Sequence, residues 1–159
     1  AHTCFDCADG GVNDVLCEIL SLGNIKKIES AECVLPMARL GEIDETDPEI
    51  FAKEVAKKLK TTVRFVDGGK KIKSVAVCGG AGMSFLDEVI AAGADAYVTG
   101  DISHHEMLDA KEKGITVVAA GHFETEYPAM DSLRKKINVR FPELETTLLF
   151  QSNPVKFIR

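Results

Sequence analysis

Ile115-Thr116-Val117-Val118-Ala119-Ala120-Gly121-His122-Phe123-Glu124-Thr125-Glu126 is the stretch on which the fold turns. Its first five residues are an apolar run of the length of a buried strand. The run ends in a glycine, a histidine and, four residues further on, a glutamate. Open α/β sheets place their chemistry at the carboxyl ends of strands, where these residues would lie. In a helix starting at His122, residues His122 and Glu126 share a face, because positions four apart are neighbours. An imidazole and a carboxylate so placed can grip one cation, while Glu124 points elsewhere. The same spacing also fits a structural role, with Glu126 favoured by the macrodipole in a first helical turn and His122 a polar linker.

Two similar units precede this one. Val75-Ala76-Val77-Cys78 runs into Gly79-Gly80-Ala81-Gly82, and Ser84 is placed to cap a helix carrying Phe85, Leu86, Val89 and Ile90, with Gly93 after it. Ala96-Tyr97-Val98 runs into Thr99-Gly100-Asp101, and Ser103-x-x-Glu106 predicts a capping box for a helix that carries Met107 and Leu108 and stops at Gly114. The third unit continues into a helix through Met130, Leu133 and Ile137. Strands alternating with helices predict an α/β fold with right-handed crossovers and a largely parallel or mixed sheet flanked by helices. Parallel strands send all three loops to one edge of the sheet, where they line one crevice.

The amino-terminal half is read from periodicity. Val12, Val15, Leu16, Ile19 and Leu20 recur at helical spacing after Gly10-Gly11, with Gly23 in the place of a cap. Thr46-Asp47-Pro48-Glu49 offers a capping box and a first-turn proline for a helix through Phe51, Ala52, Val55, Ala56 and Leu59, ending near Lys60. Cys33-Val34-Leu35 reads as a strand that Pro36 stops or places on an edge. Thr61 to Val66 alternates, and Asp67-Gly68-Gly69 predicts a hairpin into Ile72 to Cys78. In the tail, Thr147 to Phe150 and Val155 to Phe157 suggest one or two further strands.

Length and composition bound the rest. A chain of 159 residues is one α/β region, 1–159, since domains commonly hold roughly 100–200 residues. No apolar run approaches the ~20 residues of a membrane helix and no signal-peptide pattern is present, so the expectation is a cytoplasmic protein with no membrane partner. A net charge of −6 argues against nucleic acid as partner, because that affinity rests on Lys and Arg. The short basic clusters Lys57-Lys58-x-Lys60, Lys70-Lys71-x-Lys73 and Arg134-Lys135-Lys136 read as solvated faces. Cys4, Cys7, Cys17, Cys33 and Cys78 are odd in number and form no framework, which fits reduced thiols. Cys4-x-x-Cys7 has redox or zinc spacing but no second pair to complete a four-ligand site.

Function shows only in the loops. Gly79-Gly80-x-Gly82 before a helix is either an anion-cradling turn, with Gly80 and Gly82 against a ligand, or a close-packed corner beside a site. It lacks the last glycine of a dinucleotide fingerprint, whose place Phe85 takes, and the Lys of a P-loop. Thr99-Gly100-Asp101 with His104-His105 supplies an acid, a hydroxyl and two imidazoles, of which adjacent helical geometry turns at most one toward the crevice. His2, Thr3 and Asp6 stand near the amino end.

Taken together, His2-Thr-x-Phe-Asp6, Gly10-Gly11-Val-Asn-Asp14, Val-Cys-Gly-Gly-Ala-Gly82, Thr-Gly-Asp101 with His105, and Gly-His122-Phe-x-Thr-Glu126 occur in one order. In that order the chain resembles the family of GTP cyclohydrolase I type 2 homologues, also called Ngg-interacting-factor-like proteins. The resemblance runs over nearly the whole chain. It implies a two-lobed α/β fold with two divalent metal ions (zinc, manganese or iron) in a cleft, and a toroidal homohexamer. Carried over by position, Asp6 and His122 are metal ligands and Glu126 bridges both metals. Asp101 and His105 line the same cleft as proton-transfer candidates, His104 stands where an aromatic is common, and His2 lies beside the Asp6 loop.

Family members also carry a His-His-Pro motif upstream of the aspartate motif, and its two histidines complete the metal pair. It is not found in this sequence, and His104-His105 is not its equivalent because no proline follows. The chain thus resembles the later part of a family member, without the long inter-lobe insert, as Lys60 runs straight on to Val77. One metal or none is expected with three ligands, together with exposed apolar surface where further strands would pack. The implied chemistry is metal-assisted hydrolysis of a small-molecule or nucleotide substrate, by ring opening of GTP or by attack on a phosphoester. A noncatalytic metal-binding scaffold or regulatory assembly is the rival. The three loops hold no Lys or Arg to receive a triphosphate.

Overall fold

The computed structural model describes residues 2–29 and 35–156. Two short helices, α1 (Thr3–Cys7) and α2 (Val12–Leu20), precede β1 (Gly23–Ile28), β2 (Ala38–Thr46), α3 (Pro48–Leu59) and β3 (Arg64–Val66). Then come β4 (Ile72–Cys78), α4 (Leu86–Ala91), β5 (Ala96–Thr99), α5 (His104–Glu112), β6 (Thr116–Ala119), α6 (His122–Glu126) and α7 (Ala129–Arg140). Among the described residues the strands form one sheet in the order β1-β2-β4-β5-β6-β3. The middle is parallel, with Val77 opposite Val98 and Val98 opposite Val118. β1, β2 and β3 join it antiparallel, so the sheet is mixed, with only its three-strand centre parallel.

Strand alternation divides the core between the two faces of the sheet. Val75, Val77, Val98 and Val118 meet Leu16, Leu20, Phe51 and Val55 of α2 and α3 on one side. Ala76, Cys78, Tyr97 and Val117 meet Met83, Leu86, Val89 and Ala110 on the other. Strands covered on both faces have no polar side to show, which is why β4, β5 and β6 read as continuous apolar runs. Each residue of β5 and β6 is buried.

Several local readings hold. α3 ends at Lys60, whose backbone is left-handed (φ 54) and whose N–H reaches Ala56 O and Lys57 O. The Ser103–Glu106 capping box forms, with Ser103 N–H donating to Glu106 Oε2 at 2.6 Å.

Others are corrected. α2 is closed by Ser21 in a left-handed conformation (φ 60), and Gly23 begins β1. Asp47, not Thr46, stands at the N-cap of α3 and makes no side-chain cap bond. Ser84 lies inside a 3-10 turn, Met83–Phe85, and does not cap α4. The predicted hairpin does not form. β3 pairs with β6 at the far edge (Phe65 opposite Val118), and β2 takes the flank of β4 instead. The Asp67-Gly68-Gly69 turn makes this switch by seating Gly68 on the start of β6. Its N–H donates to Thr116 Oγ1 at 3.0 Å, and a Cβ there would lie 2.5 Å from Ile115 C and Thr116 N.

β1 and β2 were not anticipated; the first is an edge strand carrying Lys26 and Lys27, exposed over most of its length. The expected strand at Cys33-Val34-Leu35 falls at Cys33 and Val34 outside the described residues, and Leu35 is an exposed bend. No strand is found in the described part of the tail. Thr147 to Phe150 instead runs outside any strand beside α6, held by the Tyr127 hydroxyl, which donates to Leu149 O (3.1 Å) and accepts from Gln151 N–H (3.2 Å). Phe157 lies outside the described residues. Exposed large apolar side chains collect on α7 and this tail, among them Val139, Phe141, Leu144, Leu149 and Phe150. Among the described residues no helix is long and apolar enough to cross a membrane.

Candidate metal-binding site

The parallel centre brings the three loops together as its topology requires, and backbone hydrogen bonds stitch them. Gly80 O accepts from Gly100 N–H (2.9 Å) and Asp101 N–H (3.0 Å), while Gly121 N–H donates to Gly100 O (3.1 Å). Gly121 (φ 92) turns the chain sharply out of β6 into α6, so that His122 opens the helix and Glu126 follows one turn later.

His122 is the hub. Its Nδ1 lies 2.6 Å from Asp101 Oδ2 and its Nε2 3.2 Å from Glu126 Oε1. The hydrogen bond to Asp101 raises the imidazole pKa above its usual value, burial opposes this, and the Glu126, Asp101 and Asp6 charges reinforce it. Glu124 is not part of the His122 pair but, against the expectation that it points elsewhere, lines the cavity beside it, where it accepts from Asn153 Nδ2 at 2.8 Å.

The two glycines of the upstream loop play different parts. Gly80 has a positive φ (67), and a Cβ on it would run into Glu126 Oε1 and lie 3.2 Å from His122 Nε2. Only a glycine leaves that space open. Gly82 is a packing residue: a Cβ there would lie 2.5 Å from Tyr97 Oη and 2.8 Å from Cys78 Cβ. The anion-cradle reading of this loop fails on its donors. Gly79 N–H bonds to Asn13 Oδ1 (2.8 Å), Gly80 N–H to Thr125 Oγ1 (3.0 Å) and Gly82 N–H to Thr99 Oγ1 (3.0 Å), so these donors are taken up internally.

Asp6 is brought alongside by Asn13. That side chain is fully buried; its Nδ2 donates to Asp6 O (3.1 Å) and Met37 O (2.5 Å), and its Oδ1 receives Gly79 N–H. Burial lifts the Asp6 carboxyl above its ordinary pKa, against the lowering influence of His2 and His122. His122 and Asp6 therefore feel one another electrostatically. His2 bonds to Thr3 Oγ1 at 3.0 Å on the exposed side of α1. His104 and His105 are both exposed in the first turn of α5, and His105 is not drawn to the cavity beside His122. Among the described residues no group of three His, Cys, Asp or Glu side chains is assembled to hold a metal ion.

The thiols stand apart from this chemistry. Burial pushes Cys78 and Cys17 up to about 12, and Cys7 Sγ donates to Met37 Sδ within the packed end of α1. Cys4 is an exposed free thiol, so Cys4-x-x-Cys7 is split between surface and interior.

A cavity of about 890 Å³ opens beside His122 and Glu126. Sequence reading missed three of its lining side chains. Phe123 and Tyr127, four apart on the α6 turn, stack with centroids 4.7 Å apart, and their spacing was visible in the sequence. Arg64 had no local signal: it reaches the site because β3 pairs antiparallel with β6, placing Arg64 opposite Ala119. The absence of basic residues expected from the three loops is corrected by this fourth element.

Comparison with known proteins shows the family of the chain. Residues 1–154 match Duf34/NIF3 (NGG1p interacting factor 3). A GTP cyclohydrolase 1 type 2 homolog of Clostridium acetobutylicum is 31% identical over 168 aligned positions, covering 99% of this chain and 63% of that protein. One of the same name from Nostoc sp. is 33% identical over 145, covering 86% and 54%. The chain thus spans roughly half to two thirds of the length of these curated relatives. Among solved structures, protein ybgI, of unknown function, superposes with a TM-score of 0.84 at 27% identity, over 97% of this chain and 61% of that one. Reduced HcgD from Methanocaldococcus jannaschii gives 0.73 at 29%, over 89% and 56%. A Bacillus cereus protein related to NIF3 shares the fold, with a TM-score of 0.82 at 21% identity, over 99% and 72%. With residues 1–154 matched and the fold shared, this chain belongs to the Duf34/NIF3 family.

Proposed function

We propose that this chain carries part of a divalent-metal site serving a metal-dependent hydrolase of the GTP cyclohydrolase 1 type 2 homolog kind. The observation that carries the reading is the setting of His122. Its Nδ1 lies 2.6 Å from Asp101 Oδ2 and its Nε2 3.2 Å from Glu126 Oε1, so that with Asp101 accepting the Nδ1 proton, Nε2 would be the nitrogen to ligate an ion beside Glu126. Metal-ligating histidines are oriented in this way by a carboxylate on the opposite nitrogen. Two ligands ~2.0–2.2 Å from one ion lie about 2.8–3.6 Å apart, depending on the angle between them, and the separation of this pair falls within that range. Gly80 keeps a side chain out of the space beside them.

The donor set is incomplete as it stands, since His122 and Glu126 form the close pair and Asp6 approaches from α1. A second ion requires donors from outside the described residues. When bound, divalent metal lowers the pKa of a coordinated water and stabilises negative charge on the attacked group. The residues of this chain supply the rest: Asp101 orients the His122 imidazole, Glu126 offers a carboxylate on the cavity lining, and Asn13 holds Asp6 against the glycine loop. A homohexameric ring and a small-molecule or nucleotide substrate belong to the same proposal.

Elemental analysis after dialysis against zinc, manganese and iron tests it, on this chain and on one extended upstream through a His-His-Pro segment. About two ions in the longer chain and at most one here, both lost in Glu126→Gln with the fold intact, is the expected result. No metal in either chain overturns the assignment of Asp6, His122 and Glu126 as ligands. The incomplete donor set favours a second reading, a noncatalytic metal-binding scaffold. Turnover of GTP or a phosphoester by the longer chain, abolished by Glu126→Gln, excludes it; metal binding without turnover supports it.

A further inference from the structure

We propose that the cavity beside His122 takes a planar aromatic ring bearing one acidic group, with Arg64 as the anchor for the acid and Phe123 as the surface for the ring. The inference rests on the preceding one only in treating this cavity as the place of the substrate.

Charge pairing around the cavity singles out Arg64. Three carboxylates line it, and each is engaged: Asp101 with His122 Nδ1 at 2.6 Å, Glu126 with His122 Nε2 at 3.2 Å, and Glu124 with Asn153 Nδ2 at 2.8 Å. Arg64 is the basic side chain of the lining, and among the described residues no carboxylate pairs with it. One Nη2 hydrogen goes to Ile102 O at 2.9 Å, which holds the guanidinium in place and leaves its other N–H groups with no acceptor among the described residues. A planar fork of this kind matches a carboxylate or phosphate in two-point geometry.

The remainder of the wall is suited to a ring. Phe123 and Tyr127 stack nearly parallel, 15° apart, and both line the cavity with Met130. The Tyr127 hydroxyl donates to Leu149 O and accepts from Gln151 N–H, so its proton is already committed and the residue offers the ligand chiefly its ring. Pro154 and Val155 of the tail add apolar surface. At about 890 Å³ the space lies in the ~300–1,000 Å³ range of small-molecule sites, which are mostly apolar with a few placed polar groups. Aromatic side chains contribute to such sites through offset stacking and area burial.

The test is calorimetric titration of the chain, in EDTA, with naphthalene-2-carboxylate, its uncharged carboxamide, and cyclohexanecarboxylate. Naphthalene-2-carboxylate binds about tenfold or more tightly than the carboxamide, and more tightly than the cyclohexane acid. Arg64→Gln, at an exposed position that leaves folding intact, abolishes the preference for acid over amide; Phe123→Leu abolishes the preference for the flat ring. Equal binding of acid and amide, or an acid preference that survives Arg64→Gln, overturns the proposal. So does an acid preference that appears only with added metal and vanishes in Glu126→Gln, since the metal would then be the anchor. An acid preference that persists in Glu126→Gln, whether or not that variant loses metal, supports Arg64 and separates this result from the fate of the metal reading.

Discussion

Two polar clusters, both linked to the segment around Asn13, are built from similar side chains and put to opposite uses. On the α1 side, Arg39 is 1% exposed, and its Nε donates to Asp14 Oδ1 at 2.5 Å. Its Nη1 donates to Pro36 O and its Nη2 to Cys7 O, while Asp14 Oδ2 receives Gly10 N–H. On the sheet side, His122 is 50% exposed between Asp101 and Glu126, with a cavity beside it. The closed cluster fixes where α1, α2 and β2 meet; the open one keeps an imidazole nitrogen and a carboxylate within reach of a ligand. Satisfaction of every donor, more than residue type, separates scaffold from site.

Breaking the closed cluster has the largest effect. Asp14→Ala leaves a buried guanidinium unpaired, and a loss of about 3–5 kcal/mol is expected in urea denaturation. A loss below about 1 kcal/mol would make the pair no more than a surface salt bridge. Gly80→Ala comes next. Its positive φ costs about 1–2 kcal/mol with a Cβ, and the methyl must displace Glu126, so thermal stability and metal uptake fall together. Metal titration unchanged in this variant would detach Gly80 from the site.

Asp101→Asn sharpens the contrast. It removes the carboxylate partner of His122 at the surface, so stability changes little while metal affinity drops roughly 10–100-fold. Equal losses of stability and affinity would show that the open cluster is scaffold as well. The smallest effect is expected far from both clusters, at Asp95. Burial pushes this carboxyl up, but the Ser74 and Lys73 amides and the Lys70 ammonium outweigh burial and hold it below the usual carboxylate range. A depressed folded-state pKa adds stability that is present above the unfolded value and is lost as pH falls through the folded one. Asp95→Asn therefore lowers stability by the whole of this small contribution at pH 7, and the difference from the parent shrinks as pH falls below about 4, so the acid limb becomes shallower. An acid limb of the same steepness in both proteins would contradict it.

The open cluster was more legible in the sequence than the closed one. His122 and Glu126 declare themselves by spacing at the end of an apolar run, and Asp101 by its place after the strand before. Arg39 lies in a stretch without period, and its partners Asp14 and Cys7 stand 25 and 32 residues away. Asn13 sits inside a recognisable motif, yet nothing local says that its amide reaches Gly79, 66 residues on. The glycine loop shows the opposite error. Its composition suggests an anion cradle, and the fold takes up the very N–H groups that a cradle would need.

By itself the sequence determined the β4-β5-β6 centre, the helices that cover it, and the convergence of three loops at one edge. Runs buried on both faces and helices of fitting length leave parallel crossovers almost no other arrangement. Only the tertiary structure decided which strands flank that centre, that β3 crosses to β6 and delivers Arg64, and that the tail lies outside any strand along α6. Edge pairing is chosen among open hydrogen-bonding rows by contacts far apart in the chain, and a residue's neighbours along the sequence carry no record of that choice.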